Sequence, residues 1–540
     1  MKSSKRLIDL KLCLLGLPAA LAFFALYIVP FGITGWYSLL SNSFSRQFVG
    51  LQNYARVLNN PNFRLAVKNT LIILLMTVGG ASLLAGLLAY LLLRARRRIL
   101  ALSILVLPLF IPSVSITTLW QAAFHTSAFS STGSAYCALV SLYLWKYSGT
   151  GAALLYAGLR GVERDILDAA ALDGAGEVRT YLRISLPCVQ ANIGLMLLVL
   201  LMYAFQLYKE SYLLFGAYPC RNMYMIQHYI SNHFNKLNFQ NVAASAVSLT
   251  VLSLLLYMLA YPLAGTTPSG AGKGARMKRL SGALLTLLLA LFLLPAVVLT
   301  LLSFLPSQTA QAIFQQEPAA LSGLRLSTEQ FVRALSDREY GRQFYNSAML
   351  TGVSLALAMP VALGAGLFLS RLPRRWQRAL LALYVLSLLS PFQIIMLPVY
   401  KLSLLTGLYD SPWSVILLNV FAPIGPVAVC MLLRTVDDSQ WEAASLETDS
   451  ALKILRYVLL PQITPGLAAL GLVYFAQVWN MVEQPLILLP DARLRPLSTA
   501  FNDIIKSNTD YAFAGALLYA LPVLAFYLIA AAAAGSRKKH

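Results

Sequence analysis

Long apolar runs, interrupted by short polar clusters, set the pattern of this chain. Twelve of them reach the roughly 20 residues that a helix needs to cross about 30 Å of hydrocarbon. They fall at about 12–40, 66–93, 99–122, 135–158, 189–213, 240–264, 280–304, 344–370, 380–404, 411–433, 463–488 and 513–534. The predicted fold class is an all-α polytopic membrane protein. Composition agrees, since 58% of the 540 residues are hydrophobic and only 12% are charged. That is more apolar surface than a soluble core buries, so the bilayer must be the main solvent.

A net charge of +21 raises the question of nucleic acid, and the placement of the charges answers it. Most Lys and Arg residues gather at the ends of the apolar runs, in segments 2–11, 94–98, 160–183, 273–279, 371–378, 434–456 and 537–539. These segments share one side if the runs alternate across a membrane, and the positive-inside rule makes that side cytoplasmic, with both termini. A bacterial cytoplasmic membrane protein in contact with lipid, without nucleic acid as partner, is the expectation. The first run follows a basic segment, as a signal peptide would, but it is long and lacks a small-residue cleavage site; we read it as a retained helix. Five cysteines without a CxxC pair, and four histidines of which only His228 and His233 are close in sequence, predict neither a disulfide framework nor a metal site.

The runs repeat as two sets of six. Asn69-Thr70, an apolar run and then Arg94, Arg96 and Arg97 match Asn346-Ser347, an apolar run and then Arg371, Arg374 and Arg375. A second pairing sets 168–187 against 442–461, each lying between the fourth and fifth runs of its set. An even number of spans per set gives both halves one orientation, related by a pseudo-twofold axis along the membrane normal. The expected organisation is a first half at 1–264, a Gly-, Thr-, Ser- and Pro-containing linker at 265–279, and a second half at 280–540.

The polar loops at about 160–187 and 434–461 carry helical spacing on the basic side. In the first, a short helix through Asp168 would end at Gly174, which takes the left-handed conformation cheaply. Pro187 would then open the next span. A helix, a break and a helix lying under a membrane domain form a knob that can receive a push from a partner.

The wording of these loops resembles the signature loop of binding-protein-dependent ABC importer permeases of the type I, or methionine-permease-like, fold. Asp168-Ala-Ala-Ala-Leu-Asp-Gly-Ala and Phe48-Val-Gly-Leu-Gln-Asn-Tyr54 are most similar to the carbohydrate branch. The second half resembles the partner permease through 393–405, its own loop, Trp479-Asn480 and Pro485-Leu486. Most members keep the halves as separate subunits, so this chain looks like both maltose-type halves fused. The resemblance implies that each loop docks on an ATPase subunit through Asp168, Ala169, Ala170, Asp173, Gly174 and Pro187, and through Glu442, Ala443, Ala444, Glu447 and Pro461. In the second loop Glu447-Thr448-Asp449 replaces the Gly-centred turn, leaving Thr448, Asp449 or Ser450 to cap the following helix. The chain has no GxxxxGK[ST] phosphate loop. ATP and Mg therefore belong to two separate ABC ATPase subunits, alike or different, and no catalytic residue, cofactor or metal is assigned to this chain. The implied assembly has one copy of the chain and an extracytoplasmic solute-binding protein.

In this fold the fourth and fifth spans line the pathway, which points to Trp145, Lys146, Tyr147, Tyr203 and Gln206 as solute contacts. Aromatic faces cover sugar rings, and amides and hydroxyls satisfy sugar hydroxyls. Lys146 lies too deep in its run to snorkel. It needs Glu210 as a partner, or else it faces the pathway and favours an acidic or phosphorylated sugar. The transported solute is expected to be a sugar, oligosaccharide or polyol. Importers of iron or thiamine remain open within the class, and a secondary transporter of two six-span repeats is the alternative outside it. Scarce acidic residues within the runs speak against the latter.

Overall fold

Two helices of equal length, Pro61–Arg94 and Arg338–Arg371, each 34 residues, frame the two halves. At 1.5 Å per residue each rises about 51 Å, enough to cross a bilayer and stand clear of it. They begin alike: the Asn60 side chain accepts from the amides of Asn62 and Phe63, and the Asp337 carboxylate accepts from those of Glu339 and Tyr340. Both end on the arginine that opens a basic cluster, Arg94 and Arg371.

The computed structural model describes residues 16–41, 47–124, 132–260, 283–314, 325–448, 450–501 and 509–536. The linker at 265–279 and both termini lie outside the described residues. Among the described residues nine helices are long and apolar enough to cross a membrane, or eleven spans when each of two bent helix pairs counts as one. The remaining expected stretch, 135–158, is the 28-residue helix Thr132–Leu159. It is long enough to span, and Lys146, Ser148, Gly149 and Gly151 lower its hydropathy.

Two expected straight spans are bent instead. Residues 99–122 form Arg98–Phe110 and Ser113–Phe124 at 86°, and 380–404 form Arg374–Leu389 and Gln393–Leu405 at 93°. Each bend carries a proline, Pro112 or Pro391, which has no amide to donate and drives the residue before it out of the helical region. The stretch 463–488 is also interrupted: a helix ends at Trp479 and a short one resumes at Glu483–Leu488. Three π-turns, Phe24–Ile28, Tyr181–Ser185 and Leu455–Leu459, each end two residues before a proline. Widening the turn relieves the proline ring against the carbonyl four residues back.

The halves interlock. The first span, Gly16–Ser38, packs on the sixth, Phe239–Ala260, and on Gln393–Leu405 of the second half. Thr34 donates to the Ile394 carbonyl at 2.5 Å and Tyr27 to that of Leu418 at 2.8 Å. Reciprocally, the seventh span, Ala283–Ser303, lies against the bent third span of the first half. Gly149 seats the fourth span on the third, because a Cβ there would meet the Leu105 carbonyl at 1.7 Å.

Candidate functional site: two exposed loops and a cavity between the halves

The first loop folds as its residues dictate. Helix Arg164–Leu172 is capped by Asp173, and Gly174 has φ +73°. The Gly174 amide donates to the Ala171 carbonyl and that of Ala175 to Ala170, the paired bonds of a Schellman ending. In the second loop, helix Asp438–Glu447 ends on an extended Thr448 with φ −153°. The Thr448 hydroxyl accepts from the Ser450 amide, and the Ser450 hydroxyl accepts from that of Lys453. Of the three expected caps, Ser450 thus serves the next helix; Asp449 lies outside the described residues.

A shift of 274 residues superposes the loops in sequence, carrying Asp168 to Glu442 and Pro187 to Pro461. The same shift matches burial. Ala170 and Ala444 are buried, while Leu172 and Leu446, and Val178 and Leu452, are exposed leucine and valine pairs. Asp168, Ala169, Asp173 and Gly174 are exposed in the first loop, and Ala443 and Glu447 in the second. Glu442 falls on its helix, with its side chain outside the described residues. Pro187 and Pro461 stand in the first turns of the helices that follow their π-turns.

The first loop is strapped to its membrane half. Arg94, at the end of the second span, pairs with Glu177, and the Tyr181 hydroxyl donates to the Gly86 carbonyl at 2.8 Å. The second loop has Ala451 where the first has Glu177, so this strap is not repeated at the matching position.

The expected solute contacts separate. Gln206 lines a cavity between the halves. Trp145 instead donates to the Phe292 carbonyl at 2.9 Å, which ties the fourth span to the seventh. Tyr203 stacks on Tyr147 at 4.5 Å between centroids. Lys146 is buried and bonds the Ser113 hydroxyl at 2.5 Å and Glu210 at 3.0 Å. Tyr147 donates to the same Glu210 oxygen at 3.1 Å. An ammonium at this depth is too costly to leave alone, so of the two readings of Lys146 the structure adopts the ion pair. The pair reaches the second half, because the Ser113 amide donates to the Asn480 side chain at 2.9 Å.

The cavity opens on roughly 1140 Å³ of space, and part of its wall comes from helix breaks. Gln206 stands where the fifth span is interrupted, Pro391 at the bend of the ninth, Ala422 at the interruption of the tenth, and Asn480 at the end of the eleventh. Irregular backbone is tolerated at membrane depth where it lines a wet cavity. Gln393, Asn419, Gln477, Glu483 and Lys209, beside the rings of Phe31 and Phe392, give the wall amides, one acid, one base and aromatic faces. The sequence analysis missed these second-half residues. The 274-residue shift would have found three residues of this wall, since it carries Trp145 to Asn419, Tyr203 to Gln477 and Gln206 to Asn480.

Two matched sets of membrane helices, interlocked around a shared polar cavity, form the architecture of a transport pore. The chain belongs to the family described as binding-protein-dependent transport system inner membrane component, which it matches twice, at residues 82–265 and 358–538. Over 267 residues it is 27% identical to the sulfoquinovosyl glycerol transport system permease protein SmoG of Agrobacterium fabrum, covering 45% of this chain and 86% of that protein. Over 199 residues it is 30% identical to the sn-glycerol-3-phosphate transport system permease protein UgpA of Escherichia coli, covering 33% and 68%. A solved bacterial ABC transporter involved in the import of the acidic polysaccharide alginate is similar at 18% identity and a TM-score of 0.38, over 43% of this chain and 88% of that one. The protein is thus a multi-pass inner-membrane transport component with two permease units in one polypeptide.

Proposed function

We propose that this chain forms the whole transmembrane pore of an ABC importer, passing a sugar, oligosaccharide or related polyol delivered by an extracytoplasmic binding protein. Two ATPase subunits, which hold the ATP and Mg, dock on the two loops, and one copy of the chain serves each transporter. Both termini face the cytoplasm with the loops. The observation that carries this reading is the matched pair of knobs, with the same positions buried and the same apolar positions exposed, 274 residues apart. Exposed leucines on a basic, polar loop mark a surface made to be covered. The permeases of sugars and sugar-like compounds among its relatives support the solute class, as do the amides and aromatic rings of the cavity.

In this mechanism ATP binding draws the two loops together and opens the cavity outward, and hydrolysis returns it inward. The test is co-purification with an ATPase, followed by measurement of ATP hydrolysis with and without the loaded binding protein. Gly174→Pro and Glu442→Lys are each expected to abolish the stimulated activity while membrane insertion is retained. Full stimulation in both variants refutes the docking role.

A further inference from the structure

A second pocket lies at the opposite end of the first half from its docking loop. Its wall includes Asn62 and Leu65, at the start of the helix whose far end, Arg94, holds the loop. Across from them stand the 218–224 turn and the helix Ile226–Asn235. Asn69 fixes that turn by donating to the carbonyls of Arg221 and Tyr224, at 2.8 and 3.0 Å. The pocket is therefore built by the fold, and it opens on roughly 800 Å³ of space.

Its chemistry is one-sided. Arg221 and Lys236 line it together with His233, and no Asp or Glu does. The second half shows what the alternative looks like. Asn346 fixes the corresponding turn through the carbonyls of Arg493 and Arg495, but there the Arg495 guanidinium is turned back onto the carbonyls of Leu489 and Pro490. Arg221 keeps its fork for the pocket.

Two well-buried polar groups on residues of this wall also lack a partner: the Asn232 side-chain oxygen and the Tyr229 hydroxyl, on residues 5% and 1% exposed. The amide orientation of Asn232 is fixed, since its nitrogen donates to the Ala217 carbonyl, which can only accept. A buried acceptor left open costs stability unless a ligand or water fills it. Here it belongs to the wall of a site whose cations call for an anion, so a ligand that donates as well as carries charge would fill it. Tyr224, partly exposed, adds a ring of the kind that covers a sugar.

We propose that this outer pocket binds a small hydroxylated carboxylate, a sugar acid, with Arg221 and Lys236 holding the carboxylate and Asn232 accepting from a ring hydroxyl. The charge sought by Lys146 in the membrane is satisfied by Glu210, whereas Arg221 and Lys236 line this pocket with no acid beside them. The site does not depend on the ATPase reading, because it is complete in this chain.

The test is calorimetric titration of the purified, detergent-solubilised full chain, without ATPase or binding protein, against glucuronate, glucose and acetate. Glucuronate is expected to bind at least tenfold more tightly than either of the others, and more weakly as salt is raised. Arg221→Gln and Lys236→Gln are each expected to weaken it about tenfold, while Arg495→Gln, the matching residue of the second half, leaves it unchanged. No heat from glucuronate at millimolar concentration overturns the proposal. So does equal binding of acetate or glucose, or binding that survives both pocket variants.

Discussion

The two halves of this pore are built alike where the chain must be anchored and differ where charge is buried. At the end of the long helices away from the loops the same chemistry appears twice. Asn69 and Asn346 each donate to two carbonyls of the loop ahead of the sixth or twelfth span, and the hydroxyl of the next residue, Thr70 or Ser347, accepts one amide, from Ile226 or Leu497. At membrane depth the first half holds Lys146 and Glu210, and the same shift that matches the loops puts Val420 and Gln484 in their places. An anchoring bond is needed by any copy of the fold. A buried ion pair is specific to one half, because each of its charges is tolerable only while the other is present.

The largest test of that difference is Glu210→Gln. It leaves the Lys146 ammonium buried beside a neutral group, and a loss of about 3–5 kcal/mol is expected, read from unfolding of the solubilised protein. Gln484→Ala, at the matching position, should cost no more than about 1 kcal/mol. Replacing both Lys146 and Glu210 with Met and Leu should restore most of the loss, and a double variant as unstable as Glu210→Gln would break the comparison.

The likeness is tested at an intermediate scale by Asn69→Ala and Asn346→Ala. Each removes two hydrogen bonds, so each should lower stability by about 2 kcal/mol. Unequal losses would mean that the shared geometry does not carry shared energetics.

The smallest expected effect concerns the caps of the long helices, amide Asn60 in one half and carboxylate Asp337 in the other. Partial burial alone would raise the Asp337 pKa, but donation from the Tyr511 hydroxyl and from the amides of Tyr340 and Glu339 outweighs it and holds the group below the ordinary aspartate value. A depressed folded pKa stabilises above the unfolded value, and that contribution is lost as pH falls through the folded one. Asp337→Asn should therefore flatten the acid side of the stability profile, and Asn60→Asp should steepen it. A profile unmoved by Asp337→Asn would remove the cap from the account.

Much of the first loop was legible in its residues. Gly174 announced the left-handed ending, and Pro187 announced the next helix, since these depend on backbone rules acting over a few positions. The bends were less legible. Pro112 and Pro391 are visible, but so are Pro295, Pro360 and Pro522, which stay inside helices. Membrane helices accommodate proline when neighbours satisfy the freed backbone groups, so its presence alone does not locate a bend.

Sequence by itself determined the membrane as solvent, the placement of the apolar runs, the duplication and the two loops. These follow from transfer free energy and local conformation, which are properties of short stretches of chain. Only the tertiary structure decided that Lys146 turns to Glu210 and not to the pathway, that Gln393 and Glu483 wall the cavity, and that the first and seventh spans cross into the opposite half. Those outcomes depend on which faces of distant helices meet, and an apolar helix that is buried all round carries no stripe to say which face that will be.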